Sequence, residues 1–136
     1  MTRYYGLAVV SGCLWGVAAY FLSLKVFDSS IVGGMLASPF IGLAVGRLLR
    51  PTYRFKRKWQ ALLSLPALYL AAALFGLAVG AYEAFWVREF NRPAGEVIFE
   101  TVLAWLWGLT FLFYFVALWP LAFLNHRLLG RHCRLA

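Results

Sequence analysis

The sequence predicts an all-α integral membrane protein, a four-helix bundle with both termini in the cytoplasm. The 136-residue chain is 63% hydrophobic and only 13% charged, with a mean hydropathy of +0.76. A soluble domain is about 45–50% apolar and about 25% charged. The apolar residues fall into four long runs, and most positive charges lie on one side of them. These observations exclude soluble, disordered and disulfide-scaffold proteins, and the length suits a single domain over residues 1–136.

Four segments are long enough to cross a membrane, because a hydrocarbon core about 30 Å thick requires about 20 apolar residues in a helix. Arg47 is the only charged residue in them, and it lies near enough to one end to reach the interface. The first run continues past Cys13, which favours an uncleaved helix over the secretory or lipoprotein signal that its start imitates. We predict spans over residues 6–24, 31–49, 61–82 and 101–124.

The basic residues predict the orientation of the bundle. Ten of the thirteen Lys and Arg residues fall on one side of a four-span chain, and all five acidic residues fall on the other. By the positive-inside rule, both termini and the middle loop are cytoplasmic. So strong a bias disfavours a small exporter that inserts in both directions. Because no targeting extension is apparent, we expect a bacterial inner (plasma) membrane. The ten basic residues are Arg3, Arg47, Arg50, Arg54, Lys56, Arg57, Lys58, Arg127, Arg131 and Arg134.

Three of the spans contain a GxxxG step, a spacing that lets two helix backbones approach closely. The word Gly-Leu-Ala-Val-Gly occurs twice, but in spans of opposite direction, which indicates coincidence rather than a repeat. The fourth span is instead dense in aromatic residues, so we expect it to lie against lipid or to contact another membrane protein. The predicted helix-packing residues are Gly12, Gly16, Gly42, Gly46, Gly76 and Gly80.

The chain offers little catalytic chemistry. Both histidines lie in the basic tail, so no span supplies a haem ligand, and no span carries the paired Asp residues of an intramembrane protease. The serines in the spans have no His or Lys within the membrane to activate them. His126, His132 and Cys133 could ligate a metal, but neighbouring arginines and the lack of a fourth ligand argue against it. We therefore expect no enzyme, no cofactor and no metal site.

Glu83 and Glu100 are the acidic residues best placed to form an ion site. They lie equally far from the tip of the connection between the third and fourth spans, so a hairpin would bring them to similar depth at the outer interface. Two carboxylates in a partly dry site raise each other's pKa and could hold a proton or a cation. The alternative is that both are hydrated charges that pair with Arg88 or Arg92.

A basic segment between the second and third spans is the candidate contact surface. Its six cations are interleaved with Tyr53, Phe55 and Trp59. Such a segment could hold anionic lipid headgroups, at about 1 kcal/mol per basic residue, or an acidic partner. Its simplest role is to set the topology, and no nucleic-acid recognition fold accompanies it. The candidate lipid or partner contacts are Arg47, Arg50, Arg54, Lys56, Arg57, Lys58 and Trp59.

Two functions remain. The first is non-catalytic: a subunit or an accessory or assembly factor that works through helix–helix contacts and a basic cytoplasmic face. Its partners would be anionic membrane lipids and other membrane subunits or a second copy of itself. The second is a small homo-oligomeric channel or transporter with a cation or proton site at Glu83 and Glu100. The lack of charge deep within any span favours the first function.

Overall fold

The structure is a computed structural model that describes residues 2–26, 31–87, 92–111 and 114–134; the side chains of residues 22–26 and 134 lie outside the description. These ranges are almost entirely helical and contain no strand. A 3₁₀ turn at Arg50–Arg54 joins the second and third helices, and a π-helical turn at Glu83–Val87 follows the third. The α-helices are α1 (Thr2–Val26), α2 (Val32–Leu49), α3 (Arg57–Tyr82), α4 (Ala94–Phe111) and α5 (Tyr114–Arg134).

The predicted all-α membrane bundle is confirmed. Four helical stretches are long and apolar enough to cross a membrane. The first three are longer than the predicted apolar runs, because the helices continue into the polar and aromatic residues at the ends of those runs. The stretches are Thr2–Phe21, Val32–Arg54, Arg57–Val87 and Ala94–Phe111.

The fourth stretch, Ala94–Phe111, ends where the described part of the chain is interrupted at residues 112–113, so the span over residues 101–124 stays a prediction. That apolar run covers the second half of α4 and the first half of α5. The two helices follow each other along α3, since Gly80 packs on Ile98 and the Trp119 indole donates to the Ala61 carbonyl oxygen at 3.0 Å.

The helices pack in chain order, and the last one returns to the first. α2 lies between α1 and α3, α3 contacts both α4 and α5, and α5 contacts α1. α1 and α4 are not packed neighbours; they face each other across the interior of the bundle. This arrangement leaves a space between them that α5 closes at one end.

The two ends of the bundle differ in charge. The end that we call the basic end is built by the start of α1, the Arg50–Arg54 turn, the start of α3 and the end of α5. Tyr4, Ala8, Tyr53 and Leu129 form its buried core. The opposite, acidic end holds the start of α2, the turn at Glu83–Val87 and the start of α4, around a core of Ile31, Phe75 and Val79.

Candidate functional site

Four of the predicted packing glycines lie in the crossing of α1 and α2. A Cβ atom placed on Gly42 would lie 2.6 Å from the Gly12 Cα atom, so the two backbones are in direct contact. A Cβ atom on Gly16 would lie 2.6 Å from the Ser38 Cβ atom. Because real Cβ atoms do not approach other atoms so closely, these positions require glycine. The crossing therefore uses Gly12, Gly16, Gly42 and Gly46 within one chain.

The other two predicted glycines lie in the crossing of α3 and α4. A Cβ atom on Gly76 would lie 3.0 Å from the Val102 Cα atom, and one on Gly80 would lie 2.9 Å from the Ile98 Cα atom. All six glycines are thus used for packing inside the protomer. Close helix contacts of this kind depend on the absence of side chains. Because the glycine surfaces are buried inside the protomer, they are not free to pack against a second copy of the chain.

A buried hydrogen-bonded cluster holds the basic end together. The Tyr4 hydroxyl donates to the Gly46 carbonyl oxygen, and the Tyr53 hydroxyl lies 3.0 Å from the Tyr4 hydroxyl. Gln60 is also buried, and its Nε2 donates to the carbonyl oxygens of Tyr53 and Phe55 at 3.1 and 3.0 Å. These contacts fix the Arg50–Arg54 turn and the residues that follow it against the bundle.

His126 is a buried member of the same cluster, whereas the sequence alone placed it in a basic tail. Its ring lies 4.7 Å from the Tyr53 ring, and its Nε2 lies 3.3 Å from the Thr52 Oγ1. Because the Thr52 hydroxyl already donates to the Leu49 carbonyl oxygen, the Nε2–H of His126 is the donor to Thr52. Its buried Nδ1 has no hydrogen-bond partner. Burial lowers the pKa of His126.

The described residues contain no cluster of three or more His, Cys, Asp or Glu that could hold a metal ion. His132 is exposed, and its Nδ1 lies 2.8 Å from the Leu128 carbonyl oxygen one turn earlier. It therefore lies on a different face of α5 from His126. Two of the three metal-capable side chains of the tail do not converge.

The predicted basic segment lies on the surface of the basic end. Arg50 is half-buried, with Nη1 3.5 Å from the Tyr5 hydroxyl oxygen. Trp59 is 57% exposed beside the cations, as expected for an aromatic residue at an interface. The exposed cations are Arg47, Arg54, Lys56, Arg57 and Lys58.

A groove forms where this segment meets α5. Lys56 and Arg57 line one wall and Arg127 and Arg131 line the other, around a cavity of about 400 Å³. We call it the basic groove; its remaining lining residues are Phe55, Gln60 and Gly130. The two arginines of α5 were missed as part of this surface, because some seventy residues separate them from the basic segment. The only signal in the sequence was that both segments are basic and fall on the same side.

Glu100 is held by an arginine at the acidic end. The Arg92 Nη1 donates to the Glu100 Oε2 at 2.9 Å, and Nη2 donates to Oε1. Arg92 also lies 3.6 Å from the Glu96 carboxylate, and the Glu100 carboxylate raises the pKa of the Arg92 guanidinium. Glu83 is partly buried at the start of the π-helical turn. The structure therefore pairs Glu100 with Arg92. For Glu100, this is the alternative to an ion site that the sequence analysis left open.

A further cavity of about 160 Å³ lies inside the bundle between α1 and α4. Its lining is almost wholly apolar, with polar groups gathered toward the basic end. There Ser11 donates to the Asn125 Oδ1 at 3.0 Å, and the Trp119 indole lies 3.1 Å from the Ser64 Oγ. These four groups are hydrogen-bonded to one another, whereas His126, which also lines the cavity, keeps its buried Nδ1 without a hydrogen-bond partner.

The fold and these surfaces define a small polytopic membrane protein with one strongly basic end. No protein-family model matches the chain, and neither a curated protein nor a solved structure matches it.

Proposed function

We propose that this protein is a non-catalytic subunit or accessory factor of a membrane complex, and that α4 contacts the larger partner. The observation that carries the proposal is an aromatic face on α4. Its large side chains recur every fourth residue and point away from the bundle. Trp107 and Phe111 stack there with ring centroids 4.2 Å apart. The face consists of Phe99, Leu103, Trp107 and Phe111, all exposed.

Trp107 lies at the middle depth of the bundle. Gly76 of α3 packs on Val102, and the Tyr69 hydroxyl lies 3.0 Å from the Thr110 Oγ1, so Trp107 is level with the α3 residues between them. These residues are central in the apolar stretch 57–87. Lipid-facing tryptophan concentrates at the two membrane interfaces, whereas protein contacts are enriched in tryptophan and phenylalanine. A 57% exposed indole at mid-depth therefore favours a protein contact.

The hydroxyl groups of the bundle support a non-catalytic role. Ser38 donates to the Met35 carbonyl oxygen at 2.8 Å, and Ser64 donates to the Ala61 carbonyl oxygen at 2.7 Å. Serines in membrane helices commonly make such bonds to the preceding turn. Neither hydroxyl has the base partner that an activated nucleophile requires. Their bonds are those of packing residues.

The proposed orientation places the basic end in the cytoplasm of a bacterial plasma membrane. Its support is the sequence bias of ten basic residues to one side. A reporter that is active only in the cytoplasm, fused after Arg134, is expected to be active, and the same reporter inserted between α1 and α2 is expected to be silent. The reverse pattern would overturn the orientation.

Site-specific photo-crosslinking tests the partner contact. A photoreactive residue at position 103 or 107 probes the α4 face, and one at Leu36 or Phe40, exposed residues of α2, serves as the matched control. We expect one and the same protein adduct from both α4 positions and none from the α2 positions. Trp107→Ala is expected to reduce the adduct formed from position 103.

Each other outcome of the crosslinking has a definite meaning. Adducts with lipid alone at all four positions would overturn the proposed contact. An adduct between two copies of this chain would favour the second candidate, a homo-oligomeric channel or transporter. That candidate has less support, because the glycine steps pack within the protomer and Glu100 is paired with Arg92.

A further inference from the structure

We infer that the basic groove binds the phosphate headgroup of a single anionic lipid, held between the start of α3 and the end of α5. Four cationic side chains line it: Lys56 and Arg57, the N-cap and the first residue of α3, and Arg127 and Arg131 of α5. Guanidinium groups suit phosphate because their planar donors can bind two oxygens at once. The inference deepens the contact with anionic lipids that the basic segment predicts, and it rests on the proposed orientation, which places the basic end at the cytoplasmic membrane surface.

The groove is a shaped recess, and its floor is fixed. Gln60 is buried beneath it and holds the backbone of Tyr53 and Phe55 through two hydrogen bonds. Gly130 lies against the Tyr53 ring, where an added Cβ atom would be 2.8 Å from Cδ1. The absence of a side chain at that position lets α5 approach the turn. The cations are therefore displayed on a rigid surface, which lowers the cost of ordering them around a ligand.

Among the described residues, no acidic side chain neutralises these four charges. The segments that build the basic end contain no Asp or Glu, and no ion pair forms there within the described ranges. α3 adds the positive end of its helix dipole, since it begins at Arg57 without a side-chain cap on its first amides. Four like charges around one recess repel each other unless an anion joins them.

The surroundings point to a lipid as the source of the anion. Phe55 lies on the rim and is 52% exposed, and Trp59 is exposed in the first turn of α3. Aromatic side chains of this kind lie at the level of lipid headgroups. A lipid whose phosphate is held in the groove beside Phe55 and Trp59 would place its acyl chains against the apolar surface of the bundle. A free phosphate would gain nothing from these aromatic residues.

Lipid binding to the full-length protein in neutral detergent micelles tests the inference, because such micelles carry no surface potential. The probe is a short-chain phosphatidic acid, measured by native mass spectrometry or calorimetry. The groove variant is Arg127→Gln with Arg131→Gln, and the matched control is Arg54→Gln with Lys58→Gln, exposed basic residues outside the groove. A hydrogen bond to a charged group contributes about tenfold or more to binding. The groove variant loses two such donors, so we expect it to bind about a hundredfold more weakly and the control to change by less than about twofold.

Further arms make the outcome decisive. Lys56→Gln with Arg57→Gln removes the opposite wall, and it tests the groove should the α5 variant fold poorly. Inorganic phosphate at the same concentration is expected to bind far more weakly than the lipid. Equal losses in groove and control variants, or equal binding of inorganic phosphate, would overturn the inference. Neither result would alter the α4 crosslinks, so a failure of the groove is distinguishable from a failure of the proposed partner contact.

Discussion

The two ends of the bundle treat positive charge in opposite ways. At the acidic end, Arg92 donates to both carboxylate oxygens of Glu100 and lies near Glu96, so its charge is neutralised within the chain. At the basic end, four cations converge on a groove built by segments that contain no Asp or Glu. One end therefore uses its charge within the fold, and the other gathers positive charge at its surface.

The ends also differ in how they are held. The basic end has an interlocked core in which Tyr4, Tyr53 and His126 contact each other through ring packing and hydrogen bonds. The ion pairs of Arg92 at the acidic end are exposed to solvent. We therefore expect substitutions in the Tyr53 core of the basic end to cost stability, and substitutions that break the exposed ion pairs of the acidic end to cost little.

Tyr53→Ala is expected to have the largest effect. The ring is buried against Tyr4, His126 and Gly130, and its loss leaves a cavity that costs about 3 kcal/mol. Thermal unfolding in detergent, followed by circular dichroism, measures the change. Phe55→Ala is the control in the same segment, since Phe55 is half exposed. Equal losses in the two variants would mean that the Tyr53 core does not hold this end.

Two matched glycine substitutions compare the stability of the two ends: Gly130→Leu at the basic end and Gly95→Leu at the acidic end. An added side chain at Gly130 meets the buried Tyr53 ring, while nothing lies within 4 Å of a Cβ atom at Gly95, in the first turn of α4. Overpacking costs about 1–3 kcal/mol, so Gly130→Leu is expected to lower Tm and to weaken lipid binding in the groove. Gly95→Leu is expected to leave both unchanged. A stable Gly130→Leu protein with normal lipid binding would contradict the close packing of α5 on the turn.

His126 is expected to make stability depend on pH. Burial lowers its pKa in the folded protein, so the unfolded chain binds the proton more readily. Stability is then intact above the ordinary histidine pKa of about 6.5 and is lost as the pH falls below it. We expect Tm to drop by several degrees between about pH 7.5 and about pH 5.5. His126→Gln should flatten this dependence, and His132→Gln, at an exposed position, should not. If the pH dependence of Tm persists in the His126→Gln variant, another titratable group causes it.

Glu100→Gln is expected to have the smallest effect. The substitution breaks an exposed ion pair with Arg92, and such pairs contribute little. We expect Tm to change by less than about 2 °C at any pH between about 5 and about 8. Glu83→Gln is measured beside it. A large pH-dependent change in either variant would restore the ion site that the sequence suggested.

Much of the bundle follows from local sequence properties. The apolar runs predict helices that are long enough to span a membrane, and the GxxxG steps identify positions where backbones touch. Gly12 and Gly42 illustrate this, since each requires the absence of a side chain on its own helix. Such requirements are visible in a single segment, and they need no knowledge of the partner helix.

The candidate site was less predictable, because it depends on contacts between distant segments. The basic groove joins Arg57 to Arg131, and the burial of His126 depends on its contact with Tyr53. Neither contact has a local signature in the sequence.

The mass of the assembly purified in mild detergent tests the central claim most directly. A subunit or accessory factor is expected to purify in a fixed stoichiometry with a larger membrane protein, and Trp107→Ala is expected to reduce that yield. The native mass of the intact particle, with identification of its components, provides the measurement. A closed ring of copies of this chain alone, unchanged by Trp107→Ala, would contradict the account and favour a channel.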